Sequence, residues 1–407
     1  MANVAEKARF HLERAVPQLR EFEEKEIFTK DEIRTIVQKR TEYEHLVLGP
    51  GCKPQHFQSY IAWELSLEKL RSKRCVRKKI KHSNSHASNA RVFNIYERGV
   101  FRHAGSVTLW KEYLDYAAKV KATKRWRKIM TRALRLHPLD VELWTRAGRR
   151  AATDGDMEGA RGMFMRGCRF CNTTVDLWVE YARVEMEWLA RMEKKKGGKK
   201  GLAGARAEEA VDEGDVLRFD EDDEEDDEFG EDDEILPDPL ADEQNKKASE
   251  AKKVFTEEAL KKLEKSPALE GAIPKAVFDI ARKQSFFGAP ACEAFFDVFA
   301  SFTEVSAQHA LVQHVLDAMV ESYPKHPATC GCLIRQPLVG VDVTTVEFPR
   351  ALREVLARIK THMEVTENKA QLAAKIVAWI KRMLKRKDLD ENVRTVLEHT
   401  KTKVENP

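Results

Sequence analysis

A tryptophan that returns at a fixed step constrains this chain more than any other feature. Leu109-Trp110, Leu143-Trp144 and Leu177-Trp178 are spaced by 34 residues, and three positions after each tryptophan stand Tyr113, Ala147 and Tyr181. Arg98, Arg132 and Arg166 keep the same step, each followed by a small residue, Gly99, Ala133 and Gly167. A period of this size holds two helices and their turns. One helix (A) carries the Trp and Tyr positions, the other (B) carries Arg and its small neighbour. A lone pair cannot bury its apolar face, so neighbours must stack and share a core. Apolar residues at three- and four-residue spacing run through most of the chain, while alternating β-branched runs are scarce, so the expected class is all-α. The expected architecture is a right-handed α-solenoid of helix pairs.

An earlier segment, Phe57-x-x-Tyr60-x-x-Trp63-Glu64, has the A-helix pattern with Phe57 in the tryptophan position. It stands 53 residues before Trp110 rather than 34, and the excess of 19 falls in the basic, Ser/Asn-rich stretch from Lys73 to Asn89. That stretch is an insertion or an extended helix and loop. The repeat-packing set is therefore Phe57, Tyr60, Trp110, Tyr113, Trp144, Trp178 and Tyr181, facing Gly99, Ala133 and Gly167. These rings are expected in the core, since base-stacking aromatics recur where a helix faces solvent.

Before residue 51, Leu12, Val16 and Leu19 share a helical face that Pro17 interrupts. Thr29 and Glu32 form a capping-box signature ahead of Ile33, Ile36, Val37, Tyr43 and Val47, and Leu48-Gly49-Pro50-Gly51 ends that stripe. Two helices are expected there. After Leu189 the composition changes to a basic run, Lys194 to Lys200, and then to an acidic block. Between Asp212 and Glu243 there are 19 acidic residues and one basic, Arg218. So polar a stretch lacks the apolar surface to offset its ordering entropy, and a disordered linker is expected. The whole chain carries 71 basic and 67 acidic residues, net +4, so the remainder holds 70 against 48 and is strongly basic. Helical patterning resumes with Ala276-Val277-Phe278-x-x-Ala281 as a B helix, Phe295-Phe296-x-x-Phe299 as an A helix, and Leu311 to Val320 as another B helix. The resulting division is 1–50 amino-terminal helical cap, 51–192 first repeat block, 193–250 linker, 251–340 degenerate second block and 341–407 carboxy-terminal helical cap.

No run of about 18 apolar residues occurs, so no membrane span is expected. The seven cysteines are few, odd in number and irregularly spaced, which points to reduced thiols in an intracellular protein. Cys168-x-x-Cys171 has metal-ligand spacing but no second pair at a suitable distance, and Cys168 falls at a core position of a B helix. The histidines form no recognisable triad, and neither G-x-G-x-x-G nor G-x-x-x-x-G-K-[ST] occurs. No catalytic, cofactor-binding or metal-ligating residues are therefore assigned, and no small-molecule substrate. Lys73, Arg74, Arg77, Lys78, Lys79 and Lys81 are candidates for contact with RNA phosphates or an acidic partner.

The repeat resembles the half-a-TPR (HAT) repeat of RNA-processing scaffolds, whose A helix reads W-x-x-Y-x-x-x-E and whose B helix reads A-R-x-x-[YF]-E-R-A. Phe57, Tyr60 and Glu64 match the first form, as do Trp178, Tyr181 and Glu185, and Ala90-Arg91 through Tyr96-Glu97-Arg98-Gly99 resembles the second. Ala117 and Ala151 stand where the glutamate would be. The run Ile27-Phe28-Thr29-Lys30-Asp31-Glu32-Ile33-Arg34, with Tyr43-Glu44 and the segment Phe57 to Arg71, is similar to the amino-terminal signature of the HAT-repeat U3 small nucleolar RNA-associated protein 6 family of the small-subunit processome. That resemblance implies a non-enzymatic scaffold of the nucleus and nucleolus, serving pre-18S ribosomal RNA processing in a subcomplex of the U3 ribonucleoprotein. It further implies β-propeller proteins as partners, together with U3 small nucleolar RNA and pre-ribosomal RNA. A splicing or 3′-end-processing HAT scaffold and an autonomous RNA-binding module are the alternatives.

Overall fold

The computed structural model describes residues 2–80, 86–201, 270–386 and 389–405. Among them are seventeen α-helices, a short 3-10 turn at Gln336–Leu338 and no strand. The chain divides into two compact units, residues 1–171 and 172–407.

In the first unit, α1 (Ala2–Glu13) and α2 (Val16–Glu24) are separate helices, because Pro17 sits in the first turn of α2, where its missing N–H leaves no bond unmade. Three helices rather than two thus precede residue 51. The third, α3 (Lys30–Leu48), starts at a complete capping box: the Thr29 hydroxyl accepts from the Glu32 amide at 3.3 Å, and the Thr29 amide donates to the Glu32 carboxylate at 2.9 Å. Helix α4 (Pro54–Lys78) has 25 residues where α6 (Val107–Lys119) and α8 (Val141–Thr153) have 13, so most of the 19-residue excess is helix. It closes at Lys79, in the left-handed conformation at φ +57°. Helices α5 (His86–Arg102), α7 (Thr123–Leu136) and α9 (Met157–Phe170) are the partners of α4, α6 and α8, and each helix from α3 to α8 packs on the next in the chain. Asp140 and Asp156 cap α8 and α9, accepting from the amides of Leu143 and Gly159 at 2.9 and 2.8 Å.

In the second unit α10 (Asp176–Gly201) packs on α11 (Ala272–Ala281) and α12 (Ala289–Ser301), and α12 packs on α13 (Gln308–Ser322). A buried phenylalanine cluster, Phe278, Phe295, Phe296 and Phe299, fills this part. Helix α10 continues past residue 193, where composition places the start of the linker, and Glu193 accepts from the Ser306 amide and hydroxyl at 3.0 and 2.6 Å. The acidic block itself lies outside the described residues. Helices α14 (Pro327–Arg335), α15 (Glu347–Val365), α16 (Lys369–Leu384) and α17 (Glu391–Glu405) follow around a second core of Ile334, Phe348, Val355, Leu372, Ile380 and Leu397.

Candidate interaction surface

The interior contacts of the first unit recur in register. Tyr43 and Tyr60 stack at 5.1 Å between ring centroids and 6° between planes, and Tyr96 and Tyr113 stack at 5.0 Å and 9°. The second member of each pair donates its hydroxyl to the carboxylate that follows the first: Tyr60 to Glu44 at 3.0 Å and Tyr113 to Glu97 at 3.0 Å. Each carboxylate also takes a guanidinium from the B helix beyond. Arg98 binds Glu44 in two-pronged fashion at 2.8 and 2.9 Å, and Arg132 binds Glu97. Burial pushes the Glu44 carboxyl up, but the Arg98 guanidinium outweighs it and holds the group below its ordinary value. Burial, and then the adjacent carboxylates, raise the Tyr60 and Tyr113 phenols, so both are neutral donors.

Glu44 to Glu97, Tyr43 to Tyr96 and Tyr60 to Tyr113 are all 53 residues apart, the same offset as Phe57 to Trp110. Helix α3 thus presents to α4 what α5 presents to α6. The two Tyr-Glu dipeptides were the available signal. One period further on, Thr131 and Ala147 replace the acid and the tyrosine, and Arg166 turns to the Gly162 carbonyl within its own helix.

The indole N–H groups form a second series. Trp110 donates to the Ala104 carbonyl at 2.9 Å and Trp144 to the Pro138 carbonyl at 2.8 Å, six residues back in each case. Each carbonyl is shared with a group from the next repeat, the His137 ring at 2.8 Å and the Cys171 thiol at 3.6 Å. Trp178, in the second unit, is buried beside Phe286 at 6.5 Å, but its N–H finds no acceptor among the described residues. Trp144→Phe is accordingly expected to lower stability by about 1 kcal/mol more than Trp178→Phe, the net worth of one hydrogen bond, measured as a difference in thermal unfolding. Of the small residues, Gly99 stands against Leu109 and Phe57, where an added Cβ would lie 3.0 and 3.2 Å from their side chains. Ala133 and Gly167 are buried in α7 and α9.

Five of the six basic candidates lie among the described residues. Arg74 is committed inward: both its terminal nitrogens bind the Glu32 carboxylate at 2.7 Å, it donates to the Ile27 carbonyl at 3.1 Å, and it lies over the Phe28 ring at 4.7 Å. The side-chain hydrogen bond from Arg74 is the main cause that brings the Glu32 carboxyl down to about 2. Lys78 donates to the Glu26 carbonyl. Lys73, Arg77 and Lys79 are exposed, and Lys81 lies outside the described residues. The run Ile27-Phe28-Thr29-x-x-Glu32 therefore has a physical basis, since it caps α3 and clamps the extended end of α4. A second basic face, which sequence reasoning missed, lies on α7. Lys124, Arg125, Arg127, Lys128, Arg132 and Arg135 are exposed there, on a helix with no acidic residue. Its signal was a fourteen-residue stretch holding six positive charges and no negative one.

Cys168 is buried in α9, and burial pushes its thiol up to about 12. Among the described residues no group of three His, Cys, Asp or Glu side chains is placed to hold a metal, and no helix is long and apolar enough to cross a membrane.

These features define an all-helical protein of packed helix pairs in which buried carboxylates and guanidinium groups join one pair to the next. Residues 12–98 match the sequence model of the family described as U3 small nucleolar RNA-associated protein 6. The chain is 33% identical over 193 residues to U3 small nucleolar RNA-associated protein 6 of Schizosaccharomyces pombe, covering 46% of this chain and 40% of the relative. It is 25% identical over 197 residues to the human U3 small nucleolar RNA-associated protein 6 homolog, and 26% identical over 199 residues to the mouse one. Those matches cover 47% of this chain and 33% of each relative. The chain spans less than half the length of the curated relatives it matches.

Proposed function

We propose that this protein is a non-enzymatic scaffold of small-ribosomal-subunit assembly in the nucleolus, acting in the U3 ribonucleoprotein during pre-18S ribosomal RNA processing. Its helix pairs form a HAT-type right-handed solenoid that holds partner subunits, β-propeller proteins among them. The observation that carries this reading is the family match over residues 12–98, the segment holding the Thr29–Glu32–Arg74 clamp and the first Glu–Tyr–Arg set. A scaffold needs rigid surfaces in a fixed order, and carboxylates shared between successive helices supply that order. The exposed basic face of α7, with Lys73, Arg77 and Lys79, is the surface proposed for RNA phosphates.

The test is a crosslinking pull-down with the full chain, identifying both protein and RNA. U3 small nucleolar RNA, pre-18S precursors and propeller proteins are expected in stoichiometric amounts. Polyadenylation or spliceosomal factors in their place would assign the chain to messenger-RNA processing. Salt-sensitive RNA alone, with no protein partner, would make it an autonomous RNA-binding module.

A further inference from the structure

The first repeat of the series lacks the group that later repeats use to fill one position. By the 53-residue offset, Phe57 stands where Trp110 stands, and Gly51 where Ala104 supplies its carbonyl. Phe57 has no N–H for that carbonyl. His103, which corresponds to His137, meets the Phe57 ring edge-on at 5.8 Å, yet its Nε2 is buried with no hydrogen-bond partner, whereas the His137 Nε2 binds the Ala104 carbonyl. The series of indole and imidazole contacts is thus unmade at its first step.

Beside Phe57 the surface opens into a cavity of about 380 Å³. Its apolar walls are Val47 and Leu48 from the end of α3, Phe57 from the first turn of α4, and Phe101 from α5. Phe101 is 83% exposed, the most exposed large apolar side chain of the described residues. Glu97, Arg98 and Arg102 complete the lining. Glu97 is already satisfied by Arg132 and Tyr113. Arg98 spends both terminal nitrogens on Glu44, which leaves its Nε–H buried and unpartnered. Arg102 donates to the Val47 and Gly49 carbonyls at 2.8 and 2.6 Å and pairs with no carboxylate among the described residues. The rim is therefore cationic, and residues 1–171 as a whole hold 36 basic against 20 acidic side chains, net +16.

We propose that this cavity is a socket for a large aromatic side chain of a partner protein, set in an acidic segment. The ring enters between Leu48 and Phe101 against the edge of Phe57, and a neighbouring carboxylate meets Arg102. Burying an aromatic ring supplies the gain, and a charge-assisted hydrogen bond supplies the selectivity. The choice of a protein occupant rests on the scaffold reading above, whereas the socket itself rests on the cavity.

The test uses the purified full chain and small probes, read by ligand-observed NMR titration. Indole-3-acetate joins an aromatic ring to a carboxylate, and tryptamine joins the same ring to an ammonium. Indole-3-acetate is expected to bind in the millimolar range and tryptamine about tenfold more weakly, one charge-assisted contact being worth that ratio. Phe101→Ala removes an exposed ring without touching the core and is expected to weaken indole-3-acetate at least about fivefold, and Phe57→Trp, which fills the socket from within, to abolish binding. A thermal melt checks that Phe57→Trp is folded, and Phe101→Ala decides the matter if it is not. Equal binding of the two probes, or binding untouched by Phe101→Ala, overturns the proposal. So does a concentration-dependent dimer that Phe101→Ala dissolves, which would assign the socket to a second copy of this chain. None of these readouts depends on the pull-down, so the socket and the scaffold reading can fail separately.

Discussion

Glu64→Ala is expected to destabilise the first unit by about 3–5 kcal/mol, the usual loss when one partner of a buried ion pair is removed. The Arg40 Nε and Nη2 bind the two Glu64 oxygens at 2.8 and 3.0 Å, and the two side chains are 1% and 3% exposed. Arg40 also donates to the Gln18 side-chain carbonyl at 3.2 Å, while the Gln18 amide donates to Ser88 at 2.8 Å. One guanidinium thereby joins α2, α3 and α4, and Gln18 carries the link to α5. Its Nη1 has no partner even in the intact protein. Nearby Arg91 has its pKa lowered, first by burial and then by Arg40, while Glu64 opposes the shift. Removing Glu64 therefore takes away both the carboxylate that Arg40 binds and the charge that offsets Arg40 at Arg91. Replacing both members by apolar groups of similar size, Arg40→Met with Glu64→Leu, is expected to recover most of the loss, because the desolvation cost goes with the charges. Urea unfolding of the three proteins checks this. A Glu64→Ala loss under about 1 kcal/mol would show that water reaches the pair.

Local chemistry was legible in the sequence wherever it acts within a few residues. The Thr29–Glu32 box is short-range and α3 starts there, and Pro17 marks the start of α2, although three helices stand before residue 51 where two were expected. The 34-residue step was also legible, because Trp110 and Trp144 see the same kind of carbonyl from the same distance along the chain. The polar joints were not. Glu44, Glu97 and their arginines are bound to partners 16 to 54 residues away, and the extended α4 puts the first set out of step with a 34-residue search. A side chain's charge says nothing of whether it turns outward, and so Arg74 could be grouped with Lys73 and Arg77 although it clamps Glu32. The helices α14 and α17 escaped for a different reason. One is a short helix of small residues and cysteines, and the other carries few apolar positions, so neither shows a wide stripe.

Gly148→Ala is expected to cost about 3 kcal/mol, at the upper end of what overpacking a core brings. A Cβ on Gly148 would lie 2.4, 2.6 and 2.8 Å from three atoms of the Phe164 ring, closer than any carbon pair tolerates. Phe164 is 0% exposed in α9, so the ring has no solvent to retreat into, and α8 and α9 must move apart. The register shows how the sequence balances this pair. One period earlier Leu114 and Met130, both buried, hold the corresponding positions of α6 and α7. Two mid-sized side chains there become no side chain and a full ring here. Gly148→Leu combined with Phe164→Met reproduces the earlier arrangement and is expected to be more stable than Gly148→Leu alone by about 2 kcal/mol. Coupling of that size is usual for side chains in direct contact. If the single and double variants unfold at the same urea concentration, the contact is not what sets the spacing of α8 and α9, and the equivalence of the two pairs fails with it.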